Sequence, residues 1–261
     1  MIPRKIGLIA FTDILGYSSL IEYNDVGEQL FKTLELLSQL PDEVILIMAK
    51  YSTEAVKNHR GIPLGEIPFE FESHINNINS LIISDSILTY LEIDTSNPLS
   101  YNLALNAYFW YMMHLYEKFM KNGLPIRGAI SGGEFITVNN SFAGKPIIEA
   151  YKAGNNLNCA GIFVDINAIN KMLDIDINDF YETRNLIKEI DFINRKKESQ
   201  RAYFLKITSP KDPFFSEEYR SEEEWIVLLT SYFTAHNKRM SKGAMEKIKG
   251  TIDMIKKLKQ E

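Results

Sequence analysis

Two aspartates lie where apolar segments of the chain meet short turns. Asp13 follows an apolar run at residues 5–12, and Asp85 interrupts the apolar segment LIISDSILTYLEI. A carboxylate buried without a partner costs several kcal/mol. Each aspartate taken alone is therefore explained as a residue that caps a turn. If the two strands are neighbours, however, their carboxylates converge at one edge of a sheet. Paired carboxylates are hard oxygen ligands, and the pair therefore predicts a site for Mg²⁺ or Mn²⁺.

A glycine turn follows the first aspartate. Gly16, Tyr17 and Ser18 connect the predicted strand to a segment with a helical pattern. The backbone N–H groups at the start of a helix point outward and bind anions, including phosphates. Carboxylates that hold metal ions beside amides that hold phosphates are the components of a nucleoside triphosphate site with two-metal chemistry.

Two arginines stand in or next to apolar strands. Arg127 lies in the segment PIRGAIS, and Arg201 precedes AYFLKI. A buried arginine needs a charged partner such as a phosphate, whereas the exposed face of a half-buried strand explains each arginine equally well. Both interpretations stay open on these residues alone. Gly128, Gly132 and Gly133 allow a ligand or another backbone to approach closely, or relieve crowding in the strand.

The composition is that of an ordinary globular protein and argues against several classes. The chain has 261 residues, 45% of them apolar and 24% charged, which predicts one large domain or a domain with an appendage. The net charge of −5 indicates no general affinity for nucleic acid or for an anionic membrane. The apolar N-terminal run is too short to span a membrane, and the single Cys159 fits a reducing cytoplasm. The histidines lack the spacing of zinc ligands: His59, His74, His114 and His236.

The elements that must position these residues begin with a buried central strand at residues 5–12. A helical spacing of leucines follows, and that helix is predicted to end at Pro41. A second helix is predicted from there to Gly61, because Pro-Asp-Glu and Gly are helix boundary signals. The segment GIPLGEIP predicts a loop.

Two strands are predicted next, at residues 69–75 and 81–93. Ser84, Asp85 and Ser86 interrupt the second one, and this interruption predicts the tip of a tight hairpin whose arms are the flanking apolar residues. The hairpin is what would bring Asp85 beside the strand that ends at Asp13.

The second half mixes helix and strand without strict βαβ alternation. A long helix is predicted between Asn97 and Gly123, which carry boundary signals. Strands are predicted in LPIRGAISGGEFITV, GIFVDI and RAYFLKI, and a short helix in GKPIIEAYKAGNNLN. This mixture predicts an α+β fold in which helices pack on a sheet.

The tail from about Ser216 to Glu261 has a helical pattern. Its last stretch, KGAMEKIKGTIDMIKKLKQE, is amphipathic and has a strongly basic face. We interpret it as a solvated helix that packs on the body of the protein. Its apolar positions are Met245, Ile248, Ile252 and Leu258.

Taken in order, these segments resemble the catalytic domain of the class III nucleotidyl cyclases. FTDILGYS resembles the Phe-x-Asp-Ile-x-Gly-Phe-Thr opening of that family, and IISDSIL resembles its Gly-Asp-x hairpin. IRGAISGGEF resembles its Arg-x-Gly-Ile-x-x-Gly strand, and GKPIIEAYKAGNNLNCAGIFVD its glycine, helix and following strand. RAYFLKI resembles its late Lys-x-Tyr-Phe strand. The resemblance covers residues 6–207, and the order of the motifs is more specific than any single motif.

The resemblance implies a fold and an assembly. Residues 1–210 would form a ferredoxin-like, palm-type α+β catalytic domain, and residues 211–261 a helical C-terminal extension packed on it. Members of the family work as head-to-tail dimers, so a cytoplasmic homodimer with active sites shared between two chains is expected. The expected partner is a nucleoside triphosphate, with no nucleic acid and no membrane.

The resemblance also implies roles for single residues. Two Mg²⁺ or Mn²⁺ ions per active site would be held by Asp13, the backbone carbonyl of Ile14 and Asp85. The reaction would be attack of the ribose 3′-hydroxyl on the α-phosphate, with loss of pyrophosphate. The phosphates would be contacted by the backbone of the glycine turn and by two arginine side chains: Gly16, Tyr17, Ser18, Arg127 and Arg201.

Four positions depart from the purine cyclases. Where those enzymes have base-reading residues, this chain has Leu81 and Ser141, and their transition-state Asn/Arg pair falls on Ile148 and Lys152. Lys152 would still supply positive charge, but as a point donor and not as a bidentate fork. The altered pocket resembles that of the bacterial pyrimidine cyclases of Pycsar anti-phage systems. Those enzymes make cyclic CMP or cyclic UMP, which activates a separate effector.

Three other functions stay open. One is an adenylate or guanylate cyclase with atypical base contacts. Another is a catalytically inactive homologue that binds nucleotide, for which Ile148 argues and against which the intact Asp13 and Asp85 argue. The third is a metal-dependent nucleotidyl transferase built on a related palm-like sheet.

Overall fold

The structure is a computed structural model that describes residues 4–17, 28–58, 67–139, 141–206, 227 and 242–259. Its strands are β1 (Lys5–Ile14), β2 (Asn79–Ile83), β3 (Ser86–Glu92), β4 (Ile126–Val138), β5 (Ser141–Gly144), β6 (Gly161–Val164), β7 (Ile187–Ile193) and β8 (Ser199–Leu205). Its α-helices are α1 (Glu28–Asn58), α2 (Ile67–Asn76), α3 (Pro98–Lys121), α4 (Lys145–Asn156), α5 (Ile166–Leu173), α6 (Tyr181–Leu186) and α7 (Lys242–Lys259), and a 3₁₀ turn spans Ile177–Asp179.

The strands form one mixed sheet in the order β2-β3-β1-β4-β6-β8-β7, with β5 paired to β4. Neighbouring strands are antiparallel except for β4 and β6, which are parallel. Helices pack on this sheet, so the predicted α+β class is confirmed. The predicted central position of the first strand is confirmed as well, because β1 has β3 on one side and β4 on the other.

The two faces of β1 have different surroundings, since successive side chains of a strand point to opposite faces. Leu8 and Ala10 belong to the main hydrophobic core. Ile9 belongs to a small second cluster, against which Phe11 packs. Asp13 continues the Ile9 and Phe11 side of the strand, so the carboxylate lies on the face away from the main core.

Helix α3 forms the centre of the main core. Asn97 caps it by accepting hydrogen bonds from the backbone N–H groups of Leu99 and Ser100 at 3.1 and 3.4 Å. The helix is buried along most of its length, and the hydroxyl of its Tyr108 donates to the carbonyl of Thr89 on β3 at 2.9 Å. The predicted helix between Asn97 and Gly123 is therefore confirmed.

Helix α4 packs on the opposite face. Tyr151 meets Phe11 of β1 edge to face, with ring centroids 5.2 Å apart. Ile147 packs against the second hydrophobic cluster. Near its C-terminal end, α4 comes so close to β4 that a methyl group on Gly154 would lie 2.9 Å from the Cα atom of Gly128. The missing side chains at Gly154 and Gly128 thus set the distance between helix and sheet.

The predicted strand at residues 69–75 is wrong, because this segment lies within the helix α2. Its apolar residues favour both patterns, but Phe71 and Ile75 are four residues apart and pack together against the core. Ile75 is fully buried, whereas Phe69 is 76% exposed. Burial of one helical face has therefore prevailed over the apparent alternation.

The predicted helix end at Pro41 is also wrong, since α1 continues through this residue as one helix of 31 residues. A proline inside a helix costs one backbone hydrogen bond and clashes with the preceding turn. Leu37, Leu40 and Val44 on either side of the proline are all buried in the core. Their burial stabilises the helix on both sides of Pro41.

Several predicted boundaries lie outside the described residues. These are the start of the helix after Gly16, the segment at residues 59–66 and the domain boundary near residue 210. The strand β7 was not among the predicted elements; it pairs along its whole length with β8. No helix in the described part of the chain is long and apolar enough to cross a membrane.

The end of the tail packs on residues 157–160 and on the core. In α7, Ile248, Met254, Ile255 and Leu258 are buried. The hydroxyl of Thr251 accepts a hydrogen bond from the backbone N–H of Ala160 at 2.8 Å. The helix is thereby fixed to the loop that precedes β6.

Candidate functional site

The two predicted aspartates meet at one end of the sheet. The hairpin between β2 and β3 turns at Ser84 and Asp85, as predicted, and Ser84 has a positive φ of 58°. The backbone N–H of Ile14 donates to the carbonyl of Asp85 at 3.1 Å, which ties the hairpin tip to the end of β1. Asp13 lies opposite Ser86 in the β1–β3 register. The structure thus brings Asp13 and Asp85 together.

Arg127 forms a two-pronged ion pair with Asp13. Its Nε donates to Oδ1 of Asp13 at 2.9 Å and its Nη2 donates to Oδ2 at 3.0 Å. Nη1 donates to the carbonyl of Leu157 at 3.1 Å, and Nη2 also donates to the side-chain oxygen of Asn155 at 3.1 Å. Arg127 is only 8% exposed. Of the two interpretations from the sequence, a buried arginine with a charged partner is what the structure shows, and its partner within the described residues is Asp13.

The pKa of Asp85 reflects its burial and the charged groups around it. Burial raises the pKa of Asp85, the nearby negative charge of Asp13 raises it further, and Arg127 lowers it. One guanidinium therefore compensates two carboxylates. An additional cation at this place would relieve the remaining repulsion.

The donor set fits a hard divalent cation. Asp13 and Asp85 supply carboxylate oxygens, and the carbonyl of Ile14 was predicted as a third ligand. Arg127 uses one lone pair on each oxygen of Asp13, and a carboxylate oxygen has two. Among the described residues there is no group of three or more His, Cys, Asp or Glu side chains that would hold a metal ion. A metal ion here would therefore need backbone, water or ligand oxygens to complete its coordination.

The glycine turn is described only in part. Gly16 has a φ of +92°, in the region that favours glycine, and among the described residues other than its two chain neighbours no atom lies within 4 Å of the place where its Cβ would be. Tyr17 is buried in the main core, and both burial and the charge of Asp85 raise its pKa. Ser18 lies outside the described residues. The turn thus leads from Asp13 past Asp85, while its predicted contact with phosphates stays a prediction.

The other predicted residues have different neighbours. Arg201 lies on β8 and pairs with Glu189 of β7 at 2.9 Å. Leu81 is half-buried on β2, opposite Leu88. Ser141 begins β5 and pairs with Val138, at the far end of β4 from Arg127.

Arg127 and Val138 are eleven positions apart in β4. At ~3.3 Å per residue, this spacing places Ser141 up to about 36 Å from Asp13. Ile148 and Lys152 lie on the exposed side of α4.

Three polar residues near the aspartates were missed in the sequence. The side-chain oxygen of Asn155 accepts a hydrogen bond from Nη2 of Arg127. Arg195, in the turn between β7 and β8, donates from Nη1 to the carbonyl of Asn155 at 3.3 Å. Lys247 of α7 is near enough to Asp13, Arg127 and Arg195 for their charges to shift its pKa. The basic face of the tail was visible in the sequence, but its place beside the site depends on how α7 packs.

The chain matches no protein-family model and no curated protein. What the fold and the site define is a mixed α+β protein whose central strands bring two carboxylates and a buried arginine to one end of the sheet. The chemistry open to it follows from these residues.

Proposed function

We propose that the protein is a metal-dependent nucleotidyl cyclase with a class III cyclase-like, palm-type fold. It would convert a pyrimidine nucleoside triphosphate, UTP or CTP, into the 3′,5′-cyclic monophosphate and pyrophosphate. The observation that carries the proposal is the meeting of Asp13 and Asp85 at the end of neighbouring strands, with Arg127 beside them. The motif order in the sequence predicts the meeting of the two aspartates, whereas it assigned Arg127 to the phosphates.

In the proposed reaction, the ribose 3′-oxygen forms a bond to the α-phosphorus. The bond from that phosphorus to the oxygen bridging to the β-phosphate breaks, pyrophosphate leaves with the electron pair, and the hydroxyl proton passes to solvent. Bound Mg²⁺ or Mn²⁺ would lower the pKa of the hydroxyl and neutralise the leaving group. Asp13 and Asp85 would hold the ions, and Arg127 would keep Asp13 oriented through its two hydrogen bonds.

The distance between Asp13 and Ser141 supports a shared site in a homodimer. Ser141 lies at the far end of β4, so one chain does not bring both residues to one ligand. Two chains packed head to tail would do so. Ile148 and Tyr151 on α4, which are 54% and 50% exposed, offer apolar surface for such a contact.

The predicted base pocket supports a pyrimidine substrate. Leu81 and Ser141 carry no charge, and they stand where purine cyclases have their base-reading residues. The cyclic product would act as a second messenger in anti-phage defence and activate a separate effector, as in the systems that the sequence resembles.

One observation favours a second function, a nucleotide-binding homologue without catalysis. Both oxygens of Asp13 are hydrogen-bonded by Arg127. If this ion pair persists when nucleotide binds, Arg127 takes the place of a metal ion at Asp13. Binding would then occur without turnover.

Incubation of the purified chain with each of the four ribonucleoside triphosphates and Mn²⁺ tests the proposal. Product analysis should show cyclic UMP or cyclic CMP. Asp85→Asn should lower the rate by about 100-fold or more, because it removes a metal ligand. Asp94→Asn, an exposed aspartate that bonds Ser96, is the matched control and should leave the rate unchanged.

Each alternative has its own result. Nucleotide binding with no cyclic product from any of the four would favour the inactive homologue. Cyclisation of ATP or GTP alone would contradict the pyrimidine assignment from Leu81 and Ser141. Linear oligonucleotides would indicate a nucleotidyl transferase.

A further inference from the structure

The C-terminal helix α7 packs against the loop at residues 157–160, which joins α4 to β6. Thr251 binds the backbone N–H of Ala160 at 2.8 Å. At Gly250 the helix approaches so closely that a methyl group would lie 2.9 Å from the carbonyl oxygen of Asn158. Both contacts are with the backbone of the loop, so they fix the position of α7 closely.

Arg127 holds the same loop from the side of the sheet. Its Nη1 donates to the carbonyl of Leu157 at 3.1 Å, while its other donors reach Asp13 and Asn155. Arg195 approaches the same place, because its backbone N–H donates to the carbonyl of Asn156 at 2.9 Å and its Nη1 to that of Asn155 at 3.3 Å. The end of α4 thus carries two guanidinium groups.

Lys247 adds a third cation. It lies one helical turn before Thr251, whose hydroxyl donates to the carbonyl of Lys247 at 2.8 Å. Burial lowers the pKa of Lys247, the charges of Arg127 and Arg195 lower it further, and the charge of Asp13 raises it. Lys247 and Thr251 are four residues apart, so they lie on the same face of α7, the face that meets the loop contacted by Arg127.

The charges in this group are not balanced. Arg127 is compensated by Asp13. Within the described part of the chain, Arg195 and Lys247 have no carboxylate in an ion pair, and Lys247 is only half-buried, so solvent reaches both. Neighbouring cations repel each other, and a bound polyanion would offset this repulsion because it attracts both of them.

We propose that Lys247 and Arg195, beside the Asp13–Arg127 ion pair, form an anion site for the polyphosphate chain of a nucleoside triphosphate. The C-terminal helix is then part of the binding site rather than only a support for the sheet. This inference rests on the proposed function for the identity of the ligand, whereas the anion site itself rests on the two cations Lys247 and Arg195.

Isothermal titration of the full-length protein with inorganic tripolyphosphate, without added metal, tests the site directly. Lys247→Ala and Arg195→Ala should each weaken binding about tenfold or more, because each removes a charge-assisted contact. Lys249→Ala is the matched control, since Lys249 is an exposed lysine of the same helix, and it should bind as the unchanged chain does. Lys247→Arg should restore binding, and Lys247→Met keeps the aliphatic stem if the alanine variant does not fold.

The results separate the two proposals. If Lys247→Met and Lys249→Ala bind tripolyphosphate equally well, or if the unchanged protein does not bind it, the inference is overturned, whatever the cyclase assay gives. If binding depends on Lys247 but no triphosphate is cyclised, the anion site stands and the proposed cyclase activity fails.

Discussion

Asp13 and Arg127 form a bidentate ion pair across the β1–β4 register, with donor–acceptor distances of 2.9 and 3.0 Å. The pair joins the central strand of the sheet to its neighbour at the end where Asp85 also lies. Replacing a buried ion pair by apolar residues is often neutral, but removing one partner leaves an uncompensated charge. The pair therefore couples the stability of the fold to the candidate metal ligand.

Asp13→Ala should lower the free energy of unfolding by about 3–5 kcal/mol, because it leaves the buried guanidinium of Arg127 without its anion. Urea unfolding at neutral pH measures this change. Glu189→Ala is the control: it breaks the exposed ion pair with Arg201 and should cost less than about 1 kcal/mol. A change below about 1 kcal/mol for Asp13→Ala as well would show that the pair is not formed in solution.

Asp85→Asn should have the opposite effect on stability. Since the pKa of Asp85 is raised in the fold, its charged form is disfavoured there, and stability falls as the pH rises from the ordinary aspartate pKa of about 3.9 through the raised value. At neutral pH the variant should therefore be more stable, by less than about 1 kcal/mol because the carboxyl is partly exposed to water.

Chemical denaturation of Asp85→Asn and of the unchanged protein measures the difference between their free energies of unfolding. The series runs from about one pH unit below the ordinary aspartate pKa to about four units above it. The difference should narrow on the acid side. Asp94→Asn is again the control, because hydrogen bonds from Ser96 lower the pKa of Asp94, and its removal should not stabilise the protein. A variant of Asp85 that is less stable at neutral pH would contradict the crowding of the two carboxylates.

The sequence predicted the elements whose signals are local. The apolar run of β1, the turn at Ser84 and Asp85, and the cap at Asn97 each lie within a few residues of what they define. The segment at 69–75 was mistaken for a strand because its phenylalanines are two residues apart, while the helix is decided by burial against α1 and α3.

In the candidate site, too, only the features with local sequence signals were predicted. Asp13 and Asp85 were expected at one edge of the sheet if their strands were neighbours, because each lies where an apolar segment meets a turn. The pairing of Asp13 with Arg127 depends on strand register between residues 114 positions apart, which no local pattern encodes. Lys247 is more distant still, and its place depends on how the tail packs on residues 157–160.

Gly154→Ala should destabilise the protein although alanine favours helix. In an unconstrained helix this substitution would add about 1 kcal/mol of stability. Here the new methyl group would lie 2.9 Å from the Cα atom of Gly128, so α4 must move away from β4 at a cost of about 1–3 kcal/mol. Thermal and urea unfolding should show the loss, and Lys152→Ala on the exposed side of the same helix should stay within about 0.5 kcal/mol. A stabilised Gly154→Ala would show that α4 does not pack so closely.

His114 should control much of the loss of stability in acid. Burial, with the charges of Lys121 and Lys118, lowers the pKa of His114 to about 4, so the ring stays neutral in the fold while it takes up a proton in the unfolded chain below about pH 6.5. Stability that is present above that pH is thus lost as the pH falls toward 4, by a total of about 3 kcal/mol.

His114→Gln, which cannot take up this proton, should flatten the decline in unfolding free energy between about pH 6.5 and pH 4. His74→Gln is the comparison, because the charge of Glu70 opposes the effect of burial on His74 and its contribution should be smaller. Urea denaturation in steps of half a unit or so gives both curves. If the acid limb of His114→Gln runs parallel to that of the unchanged protein, another group controls the decline. The buried Glu117, whose carboxylate lies 3.9 Å from the ring, is not that group, because burial raises its pKa and its protonation therefore stabilises the fold as the pH falls.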